Sequence, residues 1–492
     1  EGDTSPDEII ATERQSIAVL PFVNMSPDPD QEYFSDGLSE EILNLLAKTP
    51  ELKVIGRTSS FAFKGKNEDL RVIGEALGVK TVLEGSVRKS GDRVRITAQL
   101  IDIADGSHIW SETYERTMTD IFAVQDDVAA AIIDALQMHV ATVPTRGRPT
   151  ENMEAYTLFL KARVLLNGVK VRDIEERLLQ AIEFDPNFAE AYELLAATYW
   201  RLTGQWVKTG EGQKLTYNAA AKALAINPDL VFARALLESS NIKNWSLLRD
   251  IEAFERAVRE QPGDLDALRA LGFVLLKAGY FQEALGIAER SVELDPLSPG
   301  ANFRLFQTLY TVGRSREAIA MLELARQLGS AGANWYLGNI NLVDNRDDIA
   351  IAHFEARLQH FGDPNPTWVR DLVTGARDPA TGQAHLDRRI PQIVAAMPEE
   401  DAYYMQLHLT SWYLHFGYLD RYFELILDLD LTDSAWTDAD VPVHDGTLYR
   451  RSGFTAHPKY LEVAESIGII DVWEQRGPPD FCEKTSGKWV CE

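Results

Sequence analysis

Four short phrases decide how most of this chain folds, and each of them ends in a proline. They are AIEFDP at 181–186, ALAINP at 223–228, AVREQP at 257–262 and SVELDP at 291–296. The steps from Pro228 to Pro262 and from Pro262 to Pro296 are equal, and the step before them is longer because of an insertion around 203–213. Continuing by the same step reaches Ser330 and then Pro364. Such a recurrence predicts an array of helical pairs rather than a single closed globule.

A step of about 34 residues is the period of tetratricopeptide repeats. The residue types support the resemblance, because small residues stand where paired helices approach closely and large apolar residues fill the space between pairs. In the repeat that ends at Pro296, the packing positions hold Leu268, Leu271, Gly272, Leu275, Gly279, Phe281 and Ala284. In the next repeat they hold Leu305, Leu309, Gly313, Ala318 and Ala325. The phase slips near Gly338 and is restored at Ala350 and Phe354. Residues 153–370 therefore resemble a tetratricopeptide-like α-solenoid.

Such an array presents a concave face that is lined by the first helix of each pair. The residues expected on this face are Glu193, Trp200, Arg269, Phe273, Phe303, Gln307, Tyr310, Trp335 and Asn339. Rigid rings and arginine suit peptide recognition, although the rings could equally belong to the core between repeats. The family's clamp for a peptide carboxylate uses Lys, Asn and Arg. Only Arg269 and Arg304 fall near such positions, and Phe273 stands where an Asn is needed, so that clamp is not carried over.

The residues before the repeats predict a small α/β domain over 16–140. The apolar run SIAVLPF at 16–22 is typical of a strand buried on both faces. Apolar spacing predicts helices over 38–46 and 70–77, with Gly78 as a left-handed cap, and LKVIGR at 52–57 predicts a strand between them. Alternation over 93–100 predicts a half-buried strand. With strands near 82–88 and 108–114 and a closing helix over 121–136, the order β-α-β-α-β-β-β-α indicates a mixed sheet covered by helices.

This domain resembles the TolB amino-terminal-like domain over residues 16–135. The resemblance rests on SIAVLPFVNMSPDPDQEYFSDGLSEEI, VIGRTSSFAFKGK, LGVKTVLEGSVRKSGDRVRITAQLIDIADGSHIWSETYERT and DIFAVQDDVA. It implies a bacterial multidomain signalling protein in which this domain follows a membrane helix and precedes tetratricopeptide repeats. The part ahead of the membrane is then typically a class III adenylate cyclase or a winged-helix DNA-binding domain. The resemblance implies no activity of the domain itself.

The remaining segments complete the predicted organisation. Residues 1–15 are expected to be a flexible start, and 141–152 (ATVPTRGRPTEN) are typical of a linker. Residues 371–492 are expected to form a degenerate helical pair, broken near Gly417, and a C-terminal cap that covers the last apolar face of the array. Cys482 and Cys491, the chain's two cysteines, favour a disulfide that closes a short hairpin, with two free thiols as the alternative.

Charge and motifs exclude several classes of function. The formal net charge is −26, which opposes binding to nucleic acid.

Asp36, Glu40 and Glu41 are expected at a helix start, where carboxylates complement the helix dipole. The cations around Phe61 and Phe63 favour either an ordinary surface loop or a site for an anionic ligand. His408 and His415 stand two helical turns apart without a carboxylate in pattern, which favours a structural role over metal binding. No catalytic residue, metal site or cofactor is predicted.

These observations predict a non-enzymatic, ligand- or protein-binding sensory region of a bacterial membrane signalling protein. Its partner is expected to be a protein or peptide, with a small ligand and a homodimer as further alternatives. The absence of an initiator Met and of an apolar run long enough to span a bilayer suggests a processed chain or a fragment of a membrane-anchored protein. A periplasmic location is expected, with the cytoplasm as the alternative. Two other functions remain open: a cell-envelope scaffold, and the regulatory region of a class III adenylate cyclase whose catalytic domain lies elsewhere.

Overall fold

The computed structural model describes most of the chain. The described residues are 15–28, 31–49, 51–117, 120–138, 149–165, 171–202, 209–241, 246–330, 332–360, 366–397, 399–427 and 454–491. They divide into two compact units, of which the first runs to Asp185 and includes the turn Gln261–Asp264, and the second holds the rest of the chain from Pro186. Almost all of the predicted N-terminal segment and most of the predicted linker lie outside the described residues.

The first unit contains the mixed sheet that the sequence predicts. Its strands are β1 (Gln15–Val19), β2 (Val23–Asn24), β3 (Leu52–Val54), β4 (Thr81–Ser90), β5 (Arg93–Asp102) and β6 (His108–Thr117). The order is β3-β1-β4-β5-β6, with β2 paired to β4. β1 runs parallel to both β3 and β4, and β4, β5 and β6 are antiparallel. Ile17, Ala18 and Val19 are fully buried, because helices cover both faces of a strand at the centre of such a sheet.

The helices described in the first unit surround this sheet or follow it. They are α1 (Glu32–Leu46), α2 (Arg57–Phe61), α3 (Leu70–Leu77), α4 (Ile121–Ala135), α5 (Met153–Leu165) and α6 (Val171–Phe184). α3 ends at Gly78, whose φ of 62° lies in the left-handed region, so the predicted cap is confirmed. The sequence does not predict the short helix α2. The pair α5 and α6 groups with the α/β domain in this first unit.

The second unit continues the helical pairs. Its helices up to residue 360 are α7 (Ala189–Leu202), α8 (Thr209–Ile226), α9 (Val231–Ser239), α10 (Leu247–Glu260), α11 (Leu265–Ala278), α12 (Phe281–Leu294), α13 (Pro299–Thr311), α14 (Ser315–Gln327), α15 (Ala333–Val343) and α16 (Asp347–His360). α8, α10 and α12 each end just before one of the repeated prolines. The sequence therefore predicts the fold class correctly: a small mixed-sheet α/β domain followed by a tetratricopeptide-like helical array.

Small residues set the distance between paired helices. A Cβ atom on Gly338 of α15 would come within 2.5 Å of the Phe354 ring on α16. At Gly272 of α11 the same atom would lie 3.2 Å from Ile287 on α12. Ala284 and Ala318 are fully buried at comparable places in α12 and α14. The helices can approach this closely only because these side chains are absent or small.

The C-terminal region adds helices and one hairpin. They are α17 (Trp368–Ala376), α18 (Gly382–Ala395), α19 (Glu399–Thr410), α20 (Trp412–His415), α21 (Leu419–Leu427), α22 (Tyr460–Ser466), α23 (Ile469–Arg476), β7 (Cys482–Thr485) and β8 (Lys488–Cys491). Gly417, between α20 and α21, has a φ of 85°. Phe454 stacks on Phe423 of α21 at 5.1 Å between ring centroids. Cys482 and Cys491 form a disulfide across the hairpin. Among the helices in the described ranges, none combines the length and apolarity needed to cross a bilayer.

Candidate interaction surface

Phe273 of α11, itself half-buried, lies at the centre of an aromatic and cationic group. The Trp200 ring of α7 meets it edge-on, with 6.2 Å between ring centroids. The Arg304 guanidinium of α13 lies 5.1 Å from the centre of the Phe273 ring, and the Lys277 ammonium lies 5.9 Å from it. Phe273 and Lys277 are one helical turn apart, so they share one face of α11. Helices α7, α11 and α13 thus contribute to one surface.

A cleft bordered by two arginines adjoins this group. α11, α12 and α13 form it, and its polar lining is Arg269, Ser291, Asp295, Ser298 and Arg304. Its apolar lining is Leu265, Leu268, Gly272, Ile287, Ala288, Gly300 and Ala301. The Ser298 hydroxyl caps α13 by accepting a hydrogen bond from the Ala301 amide at 3.3 Å. The positive end of the α13 dipole, two arginines and the carboxylate of Asp295 therefore border one cleft.

The two arginines at the cleft have partners of different kinds, an exposed carboxylate for Arg269 and a buried amide for Arg304. Arg269 donates to Asp266 at 2.7 Å, and both side chains are exposed. Arg304 donates to the Gln307 side chain, also at 2.7 Å. Exposed ion pairs contribute only about 0–1 kcal/mol, so Arg269 can exchange Asp266 for a ligand carboxylate at little cost. Within a chain of net charge −26, the cleft is a place where an anionic group meets cations.

Three of the predicted surface residues lie in the core instead. Trp335, Asn339 and Gln307 are 1%, 1% and 7% exposed, so placing them on the concave face was wrong. Trp335 contacts the rings of His408 on α19 and Trp412 on α20, at 4.8 and 6.0 Å between centroids. Rings from α19 and α20 therefore cover Trp335.

The side chain of Gln307 is fixed by the following repeat. Its amide donates to the Tyr336 hydroxyl at 3.1 Å, inside the contact between α13 and α15. Phe303 also meets Tyr336 edge-on at 5.0 Å, and Tyr310 packs on Phe306 at 5.9 Å. Phe303 and Tyr310 are half-buried; the Phe303 ring packs between repeats, and the contact of Tyr310 with Phe306 lies within α13.

Glu193 has a structural role in addition to its partial exposure. Its carboxylate accepts a hydrogen bond from the Ala233 amide at 3.0 Å, at the first turn of α9. The backbone amides of a first helical turn have no acceptor within the helix, and the Glu193 carboxylate supplies one. The surface that remains is Trp200, Arg269 and Phe273, to which the structure adds Arg304. Arg304 had a sequence signal, because it falls near a position that holds carboxylates in tetratricopeptide repeats.

The acidic residues of α1 are not at a helix start. α1 begins at Glu32, and Asp36, Glu40 and Glu41 lie in its later turns, where Glu40 and Glu41 are 3% and 1% exposed. Arg163 of α5 donates to Glu40 at 2.7 Å and lies 3.5 Å from Glu41. A second arginine, from α2, approaches Glu40 at 2.8 Å. Their predicted role as partners of the helix dipole is therefore wrong; Glu40 and Glu41 bind arginines from two other helices.

The basic and aromatic loop over 57–66 directs two of its cations to the same cluster. Lys64 pairs with Asp36 at 2.6 Å and with Glu32 at 2.8 Å. Burial raises the pKa of Asp36, and the Lys64 bond only partly opposes this. Burial alone would lower the pKa of Lys64, but its bonds to Asp36 and Glu32 raise it. Lys66 lies 5.4 Å from the centre of the Phe63 ring. The loop therefore behaves as a structural element rather than a site for an anion.

The paired histidines are buried in the C-terminal helices. Burial lowers the pKa of His408 well below its usual range, and nearby Arg357 lowers it further. Burial and Arg377 lower the pKa of His415 to about 3. Across the ranges that the structure describes, no group of three His, Cys, Asp or Glu side chains is placed to hold a metal ion.

Comparisons with known proteins agree with the repeat architecture. The sequence profile described as "Tetratricopeptide repeat" matches residues 251–299. The chain is 43% identical over 189 residues to "Putative adenylate cyclase 3" of Rhizobium meliloti (strain 1021), covering 37% of this chain and 32% of that protein. It is 26% identical over 186 residues to "Protein CTR9 homolog" of Arabidopsis thaliana, covering 38% of this chain and 16% of that protein. The chain thus spans a third or less of the length of these relatives.

Two solved structures are each similar to part of the chain. YrrB, described as a tetratricopeptide repeat protein with an unusual peptide-binding site, shares 22% identity over 36% of this chain and 89% of its own, with a TM-score of 0.22. TolB from Acinetobacter baumannii shares 20% identity over 25% of this chain and 28% of its own, with a TM-score of 0.19.

The repeats themselves define a class of protein. A tetratricopeptide array is a non-catalytic scaffold for protein interaction, and the described second unit is built as one. Part of the chain is homologous to a protein named as an adenylate cyclase.

Proposed function

We propose that this chain is the partner-binding, non-catalytic region of a bacterial signalling protein and that the cleft between α11, α12 and α13 binds an extended peptide. The observation that carries the proposal is that Arg269 and Arg304 both line this cleft and that the Arg304 guanidinium also lies 5.1 Å from the centre of the Phe273 ring. Tetratricopeptide arrays bind peptide and protein partners through extended concave surfaces. The similarity to a protein named as an adenylate cyclase supports a role in signalling.

The chemistry of the cleft indicates what kind of peptide fits. The two guanidiniums can hold one carboxylate through charge-assisted hydrogen bonds. Phe273 and Trp200 offer ring faces and edges to an apolar side chain next to that carboxylate. A peptide of several acidic residues is repelled by the net charge of −26. The preferred ligand is therefore a peptide with one acidic residue beside an apolar one, and otherwise neutral or basic.

The wider setting is part of the same proposal. We place the region on the periplasmic side of a membrane-anchored protein, where ligand binding would change the orientation of the array. The TolB-like sequence over 16–135 and the pairing of both cysteines in a disulfide support this setting. The homology to a named adenylate cyclase favours, as a second candidate, the regulatory region of a class III cyclase whose catalytic domain lies outside these residues.

Peptide selection on the intact chain tests the cleft. Random peptides displayed on phage are selected on the wild type, and the affinity of the best synthetic peptides is measured by calorimetry. Arg304→Ala should weaken binding by about 10- to 150-fold, because a hydrogen bond to a charged group contributes about 1.5–3 kcal/mol. Arg316→Ala, which removes an exposed arginine from α14, should leave the affinity unchanged.

The outcome that would overturn the proposal is equally direct. If the selected peptides bind Arg304→Ala and Phe273→Ala as tightly as the wild type, the cleft is not the binding surface. The signalling role is tested separately, by measuring cyclic AMP produced by a complete cyclase-containing protein with and without the peptide. An output that the peptide does not alter, despite binding, would favour the scaffold function.

A further inference from the structure

The C-terminal segment 469–491, here called the strap, returns to the middle of the repeats. It comprises α23, the loop after it and the hairpin of β7 and β8. It lies on residues 278–282, where α11 turns into α12; this turn is here called the corner. The Trp473 indole donates to the Ala278 carbonyl at 2.8 Å. The Tyr280 hydroxyl donates to the Gly477 carbonyl at 2.9 Å. These partners are far apart in the chain, so the contact is a tertiary one.

Asp480 joins the strap to both sides of the corner. Its backbone amide donates to the Gly279 carbonyl at 3.2 Å, and its carboxylate accepts a hydrogen bond from the Gln282 amide at 2.8 Å. A Cβ atom on Gly279 would lie 2.7 Å from the Phe481 ring and 2.9 Å from Pro479. The strap is therefore seated directly against the backbone of the corner.

Two ion pairs and one aromatic stack add to the contact between the strap and the corner. Arg476 bridges Glu255 of α10 and Glu283 of α12, at 2.8 and 2.6 Å. The Phe481 ring stacks on Phe281 at 5.3 Å between centroids. Phe481 precedes Cys482 directly, so the position of the stacking ring depends on the first strand of the hairpin.

The hairpin supports the strap from the opposite side. Trp489 of β8 meets the Trp473 ring edge-on at 5.3 Å, and its indole donates to Glu474 at 3.0 Å. Lys484 of β7 donates to the same carboxylate at 2.6 Å. A two-stranded hairpin this short is not stable alone, and neither is a helix of two turns. The Cys482–Cys491 disulfide joins β7 covalently to β8, and the bonds of Lys484 and Trp489 to Glu474 join this hairpin to α23.

We propose that the strap is a redox-sensitive clamp, which holds the corner while Cys482 and Cys491 are oxidised and leaves it when a dithiol reduces them. Cys491 is half-exposed and Cys482 is buried, so the dithiol's thiolate attacks the Cys491 sulfur. That attack forms a mixed disulfide and releases Cys482, which takes up a proton. The second thiol of the reductant then attacks its own mixed disulfide, which frees Cys491 as a thiol and leaves the reductant as a cyclic disulfide.

Release changes what the corner presents to solvent. Tyr280 and Phe281, which the described structure buries, become accessible, and Arg476 no longer bridges α10 and α12. The inference goes beyond the proposed function and does not depend on peptide binding at the cleft.

Hydrogen exchange on the full chain tests the clamp, because the Gln282 and Asp480 amides are bonded across the contact. Exchange at these amides is measured by mass spectrometry with and without dithiothreitol, and strand β5 serves as an internal reference. Reduction should speed their exchange by about 100-fold, the factor by which closing so short a disulfide loop restricts the open chain. Cys482→Ser/Cys491→Ser should exchange like the reduced wild type and should not respond to dithiothreitol.

Two matched comparisons keep the test decisive. Gly286→Ala lies in α12 with open space around the added Cβ, and it should respond to dithiothreitol as the wild type does. If the serine variant fails to fold, the dithiothreitol experiment on the wild type alone decides. The proposal would be overturned if, after complete reduction, the amide exchange rates of Gln282 and Asp480 stayed within twofold of their rates in the oxidised protein. An equal response to dithiothreitol in a folded serine variant would also overturn it.

Discussion

Arg163→Met should destabilise the first unit far more than its partial exposure suggests. Arg163 is the α5 residue that reaches the buried carboxylates Glu40 and Glu41 of α1. The substitution keeps most of the apolar stem and removes the guanidinium, whose central carbon also lies 5.6 Å from the centre of the Phe159 ring. Breaking a buried ion pair costs about 3–5 kcal/mol, because the remaining charge stays buried. Arg57 still pairs with Glu40, so the lower end, about 3 kcal/mol, is expected.

Hydrogen exchange in α1 and α5 measures this effect locally. A loss of about 3 kcal/mol corresponds to roughly 150-fold faster exchange of the protected amides. Arg93→Met is the matched control. The Arg93 side chain is 78% exposed, and its ion pair with Glu115, 3.6 Å long, is exposed to solvent. It should change stability by less than about 1 kcal/mol. The reasoning is refuted if Arg163→Met exchanges no faster than Arg93→Met.

Two further substitutions probe the second unit. Gly338→Ala should lower the free energy of unfolding by about 1–3 kcal/mol, because its Cβ would meet the Phe354 ring; Gly286→Ala should be neutral or stabilising in the same urea titration. His415→Leu should reduce the loss of stability on acidification. Burial holds the pKa of His415 at about 3 in the folded chain. At a pH between this value and the usual histidine pKa, the unfolded chain therefore binds a proton at His415 that the folded chain does not bind. Wild type should therefore lose about 2 kcal/mol from this group between about pH 6.5 and pH 5. An unchanged pH dependence in the variant, compared with His108→Leu on exposed β6, would contradict this.

Local patterns in the sequence predict the elements of both units. The apolar run over 16–22 and the alternation over 93–100 correspond to β1 and β5, and the repeated prolines follow the ends of α8, α10 and α12. These features depend on residues close in the chain, where spacing and turn chemistry decide.

The sequence could not show contacts between distant segments. Trp335 has the phase of a surface residue and becomes core because α19 and α20, which come two helical pairs later in the chain, pack against it. From the sequence, the carboxylates of α1 are expected to interact with the helix dipole. In the structure Glu40 instead pairs with Arg163, which comes from the distant helix α5. The seat of the C-terminal strap on the corner has no local signal at all. In each case the missing information is which apolar or charged faces meet, and a single sequence does not contain it.

The place of β1 in its sheet has a mechanical consequence. β1 lies between β3 and β4 and is hydrogen-bonded in parallel to both. A tension applied to the residues before Gln15 acts along this strand, so both ladders are loaded in shear and their bonds resist together. The α/β domain is consequently suited to transmit a pull from that side as a rigid body instead of unravelling one bond at a time.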